Sequence, residues 1–446
     1  MIGKIKTEKS NFFAASSVFL LLTGYCLLSG LSLLMPLLLL ICAFYLSVQR
    51  GIASRCFLRL GFLLALLAAS AHAMTFSSDF SFYFIPVAAA PMLTMLLFND
   101  LQLAFAMAFL SASIVALLTG AGFHCMLAFF IGGLTGAYAV RDARTRGTLL
   151  VAGLLSGAAQ AAAFFLSDPR LSLDSTLHVL RPLLIGGFVS GLVVLATLKV
   201  FESFFGEVTN FSLLELSDAL NQPLLRRMAF EAPGTYHHSL VVSNLAGEAA
   251  DTIGANSLLT RVGAYYHDIG KIGKPDFFVE NHSLSPNRHE NLEPSMSRLV
   301  ILNHVRDGVE LARQSKLNQR IIDFIEQHHG TSLIYYFYQK ALEEGDIDSV
   351  QEQNYRYPGP KPQTRETALV MLADAVEGAT RAIEDHTPTR ISAVARKIVN
   401  NKFIDGQLDE CPLTLRECEL ICESFTRTLS AMYHVRIKYP ERKNAS

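Results

Sequence analysis

Long apolar runs fill the first half of the chain, at 12–29, 32–48, 57–75, 82–98, 101–119, 122–140, 148–166 and 182–201, with short polar breaks between them. A hydrocarbon layer of roughly 30 Å takes about 20 helical residues at 1.5 Å apiece, so the runs predict a polytopic transmembrane helix bundle of about eight spans over 1–201. Gly30, Ser32 and Pro36 split the 12–48 run into two short halves, and a single re-entrant hairpin is the alternative there. After residue 202 the pattern changes. Apolar positions recur at helical spacing through a linker, 202–230, at Phe211, Leu213, Leu214, Leu216, Leu220 and Leu224. They do so again around 240–253, 258–269, 297–312, 320–327, 366–383, 391–403 and 414–433. Strand-like alternation is scarce, so the expected fold class is all-α throughout. Gly345, Asp346, Pro358, Gly359, Pro360 and Pro362 break the pattern between Glu343 and Gln363 and predict a surface loop beside the active site.

Charge divides the chain at the same place. Residues 1–201 hold 12 Lys+Arg and 6 Asp+Glu, which leaves 26 of the 38 basic and 33 of the 39 acidic residues to 202–446. The formal net charge of −1 thus combines a basic membrane half with a mildly acidic remainder, and neither balance points to a nucleic-acid polymer as partner. Lys4, Lys6 and Lys9 precede the first run, Arg50, Arg55 and Arg59 surround the second junction, and Arg141, Arg144 and Arg146 follow the sixth. Positive-inside bias predicts that all three clusters face the cytoplasm, which by parity puts the C-terminal domain of a multi-pass inner-membrane protein there as well. The N-terminal lysines and apolar run lack a small-residue cleavage site, so an uncleaved anchor is expected rather than a signal peptide.

Within the runs, no Asp, Glu, Lys or Arg sits at mid-span, which weighs against a pump or channel because ion pathways need ionisable groups at depth. His72 and His124 lie near run ends, where interfacial hydrogen bonding accounts for them. Gly132 with Gly136, and Gly187 with Gly191, have the small-xxx-small spacing of close helix contacts, which packing inside the bundle and a homodimer explain equally. Of the seven cysteines, four lie in or beside apolar runs, and Cys411, Cys418 and Cys422 fall in the expected cytoplasmic part, where disulfides are disfavoured. Cys418 and Cys422 share a helix face, but two thiols without a second pair are a weak zinc signal.

The chemistry lies in the second half. Eight of the thirteen histidines fall between 237 and 329, several beside another ligand type. Tyr236-His-His-Ser239, His267-Asp268-Ile-Gly-Lys271, His304, His328-His329-Gly and Asp374 together supply ligands for two divalent metal ions, the usual machinery for breaking phosphate esters. His267 and Asp268 project about 100° apart on a helix, so they can serve different ions or let the carboxylate bridge, and His328 and His329 repeat the device. Asp374 sits in the apolar helix Ala-Leu-Val-Met-Leu-Ala-Asp-Ala-Val-Glu, where an unpaired carboxylate would cost several kcal/mol unless a metal or donor compensates it. Lys271 and, from the Pro-rich loop, Lys361 are candidates to contact a phosphate or orient the site, with a solvated surface charge as the alternative. His237 and His289 are further candidates for substrate binding, though helix-end capping or surface exposure explains them equally.

These motifs, with Ala264-Tyr-Tyr-His-Asp-Ile-Gly-Lys271, Gln327-His-His-Gly-Thr-Ser332, Tyr357-Pro-Gly-Pro-Lys-Pro362 and Met371-Leu-Ala-Asp374, closely resemble the membrane-bound HD-domain phosphodiesterases that hydrolyse cyclic di-AMP, over most of 202–440 and more loosely over the membrane half. The resemblance implies an HD phosphohydrolase domain at 231–440. It also implies His238, His267, His304, His328, His329, Asp268 and Asp374 as the metal ligands, Asp268 as their bridge, and iron or manganese as the metal. Members usually carry a large extracytoplasmic domain after the first span, whereas here the first two runs are almost contiguous. The implied substrate is a cyclic dinucleotide and the product linear 5′-phosphorylated di-adenylate. Enzymes acting on cyclic di-GMP carry Gly-Tyr-Pro after the double histidine, where this chain has Gly-Thr-Ser-Leu-Ile-Tyr-Tyr, which favours adenine. A membrane receptor with a non-catalytic HD domain would be expected to lack a ligand, and none is missing. A (p)ppGpp hydrolase would carry an acidic pair where Ile269-Gly270 stand.

Overall fold

The computed structural model describes residues 54–75, 81–167, 173–284, 292–344 and 350–433, and these form two compact units divided at Phe211 and Ser212. Among the described residues there is no strand, only an isolated bridge between Leu333 and Arg356.

The first unit consists of α1 (Ser54–Thr75), a 3-10 turn at Phe82–Phe84, α2 (Ala89–Phe98), α3 (Leu101–Thr119), α4 (Phe123–Ala139), α5 (Arg146–Ser167) and α6 (Leu173–Phe205). Asp100 starts α3 by accepting from the amides of Gln102 and Leu103 at 2.9 and 3.1 Å, and Gly120 ends it in the left-handed region at φ +65°. Four helices among the described residues are long and apolar enough to cross a membrane: Cys56–Thr75, Leu101–Thr119, Arg146–Ser167 and Leu177–Phe205. The expected runs at 12–29 and 32–48 lie outside the described residues. The 82–98 run is not the single span its apolarity predicts. Pro86 holds Ile85 extended (φ −59°, ψ 127°), and the α-helix that follows has ten residues, about 15 Å.

Its interior is packed through small residues. A Cβ on Gly187 would fall 2.3 Å from the Cα of Gly157, and one on Gly153 2.7 Å from the carbonyl of Gly187, so α5 and α6 meet backbone to backbone. Gly132 faces the Gln160 side chain, and Gly136 faces Met92 and Ser156. The paired glycines are therefore consumed by contacts within the bundle. Leu58, Phe62, Leu66, Phe105, Phe109, Leu154, Phe165 and Ile185 point outward and are exposed, while Thr94, Ser111, Ser156, Gln160 and Ser190 are buried. An apolar exterior around small polar side chains is what a hydrocarbon solvent favours.

The second unit contains α7 (Asn210–Ser217, which begins just before the division), α8 (Pro223–Glu231), α9 (Pro233–Ile253), α10 (Ser257–Tyr266), α11 (Pro294–Gln314), α12 (Gln319–Gln327), α13 (Tyr335–Glu344), α14 (Arg365–Arg381), α15 (Pro388–Ile404) and α16 (Leu415–Met432). At its centre α9 packs against α10, α14 and α16. Ala368 to Ala373 on α14 are each inaccessible to solvent, as are Val242, Leu245, Ala246, Val262, Ile321, Ile325, Phe425 and Leu429 around them. Thr364 and Thr414 begin α14 and α16 with reciprocal capping boxes.

Candidate metal centre

Helix ends and the interiors of two helices bring the candidate ligands together. α10 stops at Tyr266; His267 keeps helical angles, but Asp268 turns to φ −111°, ψ 17° and the chain continues as a 3-10 segment, Ile269–Gly273. Gly270 in that segment lies under α11. A Cβ there would sit 1.8 Å from the carbonyl oxygen of His304, so only glycine lets α11 bring His304 down onto the His267–Asp268 turn. His328 and His329 leave the end of α12, and Gly330 then reverses the chain at φ +53°. His238 comes from the first turns of α9 and Asp374 from the middle of α14.

All seven residues assigned as ligands on sequence grounds converge. Asp268 is at their centre, 1% exposed, with its two oxygens turned to different partners. Oδ2 lies 3.3 Å from His267 Nε2 and 3.7 Å from His238 Nε2, whereas Oδ1 lies 3.4 Å from His304 Nε2 and 3.6 Å from His328 Nε2. Asp374 spans both groups, with Oδ1 3.1 Å from His238 Nε2 and Oδ2 3.7 Å from His329 Nδ1. Two ligand clusters result: His238, His267 and Asp268, and His304, His328 and His329.

The hydrogen bonds of the histidines say which nitrogen faces inward. Nδ1 of His267, His304 and His328 contacts the carbonyls of Ala264, Ile301 and Ile325 at 2.7, 2.5 and 2.9 Å, and His238 Nδ1 contacts Glu377 Oε2 at 2.7 Å. Carbonyl and carboxylate oxygens only accept, so in each ring Nδ1 carries the proton. For His267, His304 and His328 that leaves the Nε2 lone pair to face the centre. His304 and His328 then oppose two lone pairs 3.4 Å apart. That spacing is repulsive for bare imidazoles and matches two nitrogens sharing one ion at about 2.1 Å, which lie roughly 3–3.5 Å from each other. His267 Nε2 and both Asp268 oxygens are buried without a hydrogen-bond partner. Lys271 Nζ lies 2.7 Å from Asp268 Oδ2, close enough to balance its charge though not aligned as a hydrogen bond. Orphaned, inward-facing donors of this kind fit a divalent cation.

Burial opposes charge throughout the cluster, and local partners decide the balance. Against burial, Lys271 holds Asp268 well below the usual carboxylate range, and His238 does the same for Asp374. Asp268 and Glu280 raise the Lys271 pKa despite its burial. Burial pushes His304 down to about 3 and His329 well below its ordinary value, which keeps both neutral as ligands require. His238 goes the other way: Asp374 and Glu377 outweigh burial and push it up to about 10, a proton with which an ion at Nε2 competes.

The remaining sequence candidates fare unevenly. Lys271 is committed to Asp268 and, at 2.9 Å, to Glu280, rather than reaching outward. Lys361 lies 3.4 Å from Asp409 and partly exposed, and His237 is exposed on α9. His289 falls outside the described residues. Several contributors escaped sequence reasoning. Glu280 and Asn281 bond Thr235 at 3.2 and 2.9 Å, tying the Lys271 partner to α9. Tyr357 stacks on His329 at 4.2 Å and 27°, which brings the Pro-rich loop against the site. Lys402, half-buried and with its pKa lowered by burial, donates to Ser332 Oγ at 2.6 Å just beyond the double histidine. Glu377 had a readable signal, since it follows Asp374 by one turn of the same helix.

Comparison with known proteins shows what the chain is similar to. The HD domain family matches residues 235–379, and the family described as 7TM receptor with intracellular HD hydrolase matches residues 22–209. The cyclic-di-AMP phosphodiesterase PgpH of Listeria monocytogenes serotype 1/2a (strain 10403S) is 38% identical over 367 residues, 81% of this chain and 51% of that protein. PgpH of Bacillus subtilis (strain 168) is 37% identical over 373 residues, 80% of this chain and 51% of that protein. The chain thus spans about half the length of these relatives. The crystal structure of the L. monocytogenes PgpH HD domain in complex with cyclic-di-AMP is 47% identical, covering 49% of this chain and all of that one, with a TM-score of 0.46.

Proposed function

The chain belongs to the 7TM receptor with intracellular HD hydrolase family, and from that premise we propose that it is a membrane-anchored, metal-dependent phosphodiesterase that hydrolyses cyclic di-AMP to linear 5′-phosphorylated di-adenylate. One observation carries the reading: Asp268 offers Oδ2 to His238 and His267 and Oδ1 to His304 and His328, the arrangement of a carboxylate shared by two ions. In this reading His238, His267, Asp374 and Asp268 would hold one divalent ion, and His304, His328, His329 and Asp268 would hold the other. Imidazole and carboxylate donors suit manganese or iron. When bound, such a pair clamps the phosphate and supplies a hydroxide nucleophile near neutral pH.

The protein's own groups prepare that centre. Hydrogen bonds at Nδ1 hold His238, His267, His304 and His328 with Nε2 turned inward, and Lys271 keeps Asp268 ionised so that both its oxygens are available. Glu280 keeps Lys271 at Asp268, so Lys271 acts on that carboxylate and through it on the centre. Tyr357 stacks on one face of the His329 ring. Hydrolysis adds one water across a single P–O3′ bond; the phosphate retains the new oxygen and the 3′ oxygen leaves as a hydroxyl. The names of the two PgpH relatives support the adenine dinucleotide, as does Gly330-Thr331-Ser332 in place of Gly-Tyr-Pro after His329. The basic clusters at Arg55 and Arg59 and at Arg141 to Arg146 support a cytoplasmic position for the catalytic unit. A homodimer draws no support from the paired glycines, which are used within the bundle.

The test is hydrolysis of cyclic di-AMP and of cyclic di-GMP by the full chain in detergent, with Mn²⁺, with Fe²⁺ and after chelation, beside Asp268→Ala. Metal-dependent cleavage of the adenine dinucleotide, lost in Asp268→Ala, is expected. Preference for cyclic di-GMP would overturn the substrate, and undiminished Asp268→Ala activity would overturn the two-ion mechanism.

A further inference from the structure

Three of the four histidines around Asp268 that bond through Nδ1 are held alike: His267, His304 and His328 each donate to a carbonyl three residues back in their own segment. His238 is held differently. Its Nδ1 donates to the carboxylate of Glu377, 139 residues along the chain and 3% exposed. A carbonyl fixes a ring's tautomer and direction. A carboxylate does that and also places negative charge, shared here with the Arg381 guanidinium, 2.7 Å from the ring, which strengthens the opposite nitrogen as an electron donor.

Arg381 keeps Glu377 in this state. Its Nε donates to Glu377 Oε1 at 3.1 Å, and its Nη2 contacts the same oxygen, so Oε2 is left to the imidazole and the carboxylate stays ionised despite burial. Asp374 lies one turn earlier on α14, with Oδ1 3.1 Å from Nε2 of the same ring. One face of α14 thus sets a carboxylate at each nitrogen of His238. Among the described residues the His304, His328 and His329 cluster has no such backing: its rings lean on carbonyls or on Tyr357, and the carboxylate oxygens facing it are Oδ1 of the shared Asp268 and Oδ2 of Asp374.

We propose that Glu377 is a positioning residue that makes the half formed by His238, His267 and Asp374 the tighter of the two ion sites, an inference that rests on the two-ion reading above. Glu377 itself touches neither ion nor substrate and acts through His238. The centre therefore loads in order, and the half built on His304, His328 and His329 fills and empties at lower affinity.

Manganese titration of the chelated full chain in detergent tests this, with free Mn²⁺ read by electron paramagnetic resonance in the native protein, Glu377→Gln and Glu377→Ala. The native chain is expected to bind two ions with separate dissociation constants. Both variants should weaken the tighter one, by about 10- to 100-fold, the usual cost of losing a partner behind a ligating histidine. Glutamine, which keeps an acceptor without the charge, should lose less than alanine. The weaker ion should be unaffected, and its retention shows that the variant is folded. In a His238→Ala background Glu377→Ala should have no further effect. Unchanged constants, or loss confined to the weaker ion or equal for both, would overturn the role of Glu377 while leaving the two-ion reading intact. Binding of fewer than two ions by the native chain would overturn both.

Discussion

Gly270→Ala is a sharp probe of how the centre is assembled, because a single methyl group there meets only backbone. The added Cβ would lie 1.8 Å from the His304 oxygen and 2.6 Å from the Gly308 nitrogen. Non-bonded contact starts near 3.5 Å, so α11 has to withdraw by about 1.5 Å, and His304 moves with it. Overpacking of this kind costs about 1–3 kcal/mol. Opposing it, alanine restricts the unfolded chain and returns about 0.4–1 kcal/mol. The clash wins, with a net loss of about 1–2 kcal/mol, or roughly 2–8 °C in melting midpoint for a unit of this size. Turnover should suffer more, by about 100-fold or beyond, since a 1 Å misplacement already costs on that order. Gly378→Ala is the matched control: it lies within α14 with nothing within 4 Å of its added Cβ, and should stabilise by about 1 kcal/mol. Both are measured on the full chain in detergent, by circular dichroism melting and by cyclic di-AMP turnover. A Gly270→Ala protein with native turnover and a midpoint as high as that of Gly378→Ala would refute the reasoning.

Lys271→Met leaves Asp268 and Glu280 as buried carboxylates without their shared cation, and should cost about 3–5 kcal/mol in chelated protein but less with Mn²⁺, which recompensates Asp268; equal losses with and without metal would contradict this. Tyr357→Phe should retain turnover, since the ring and not the hydroxyl stacks on His329, whereas Tyr357→Ala removes a buried ring and should lower stability by about 3–5 kcal/mol together with turnover; matched activities for the two variants would argue against the stacking role. Chelation should lower the melting midpoint of the native chain but not that of Asp268→Ala, because an ion present at 100 times its dissociation constant contributes about 2.7 kcal/mol to the folded state.

Apolar run length alone located the four described helices that are long and apolar enough to cross a membrane, and it failed where proline chemistry mattered. The 82–98 stretch is as apolar as its neighbours, but Pro86 holds the residue before it extended and the α-helix begins only at Ala89. In the second unit helical periodicity located α9 to α12, α15 and α16, which bury one face, and α14, whose stretch Ala368 to Ala373 is buried all round. It missed α13, where Tyr335 and Tyr336 are exposed while Phe337 and Ala341 turn inward at helical spacing.

The candidate metal centre was legible to the extent that its side chains are residue types rarely gathered without a reason. His267, Asp268, His328 and His329 announce themselves as neighbours in sequence; His304 does not, and its place depends on Gly270 and Gly308 letting two backbones touch. The supporting charges divide in the same way. Glu377 repeats the helical register of Asp374, so the geometry of α14 alone puts it on the ligand face. Glu280 sits in a 3-10 segment with no period to read, and its connection to Lys271 exists only because Thr235 and Asn281 pin that segment to the start of α9. A residue's chemistry can be read one position at a time, whereas the partner that tunes it is visible only where a regular element carries both.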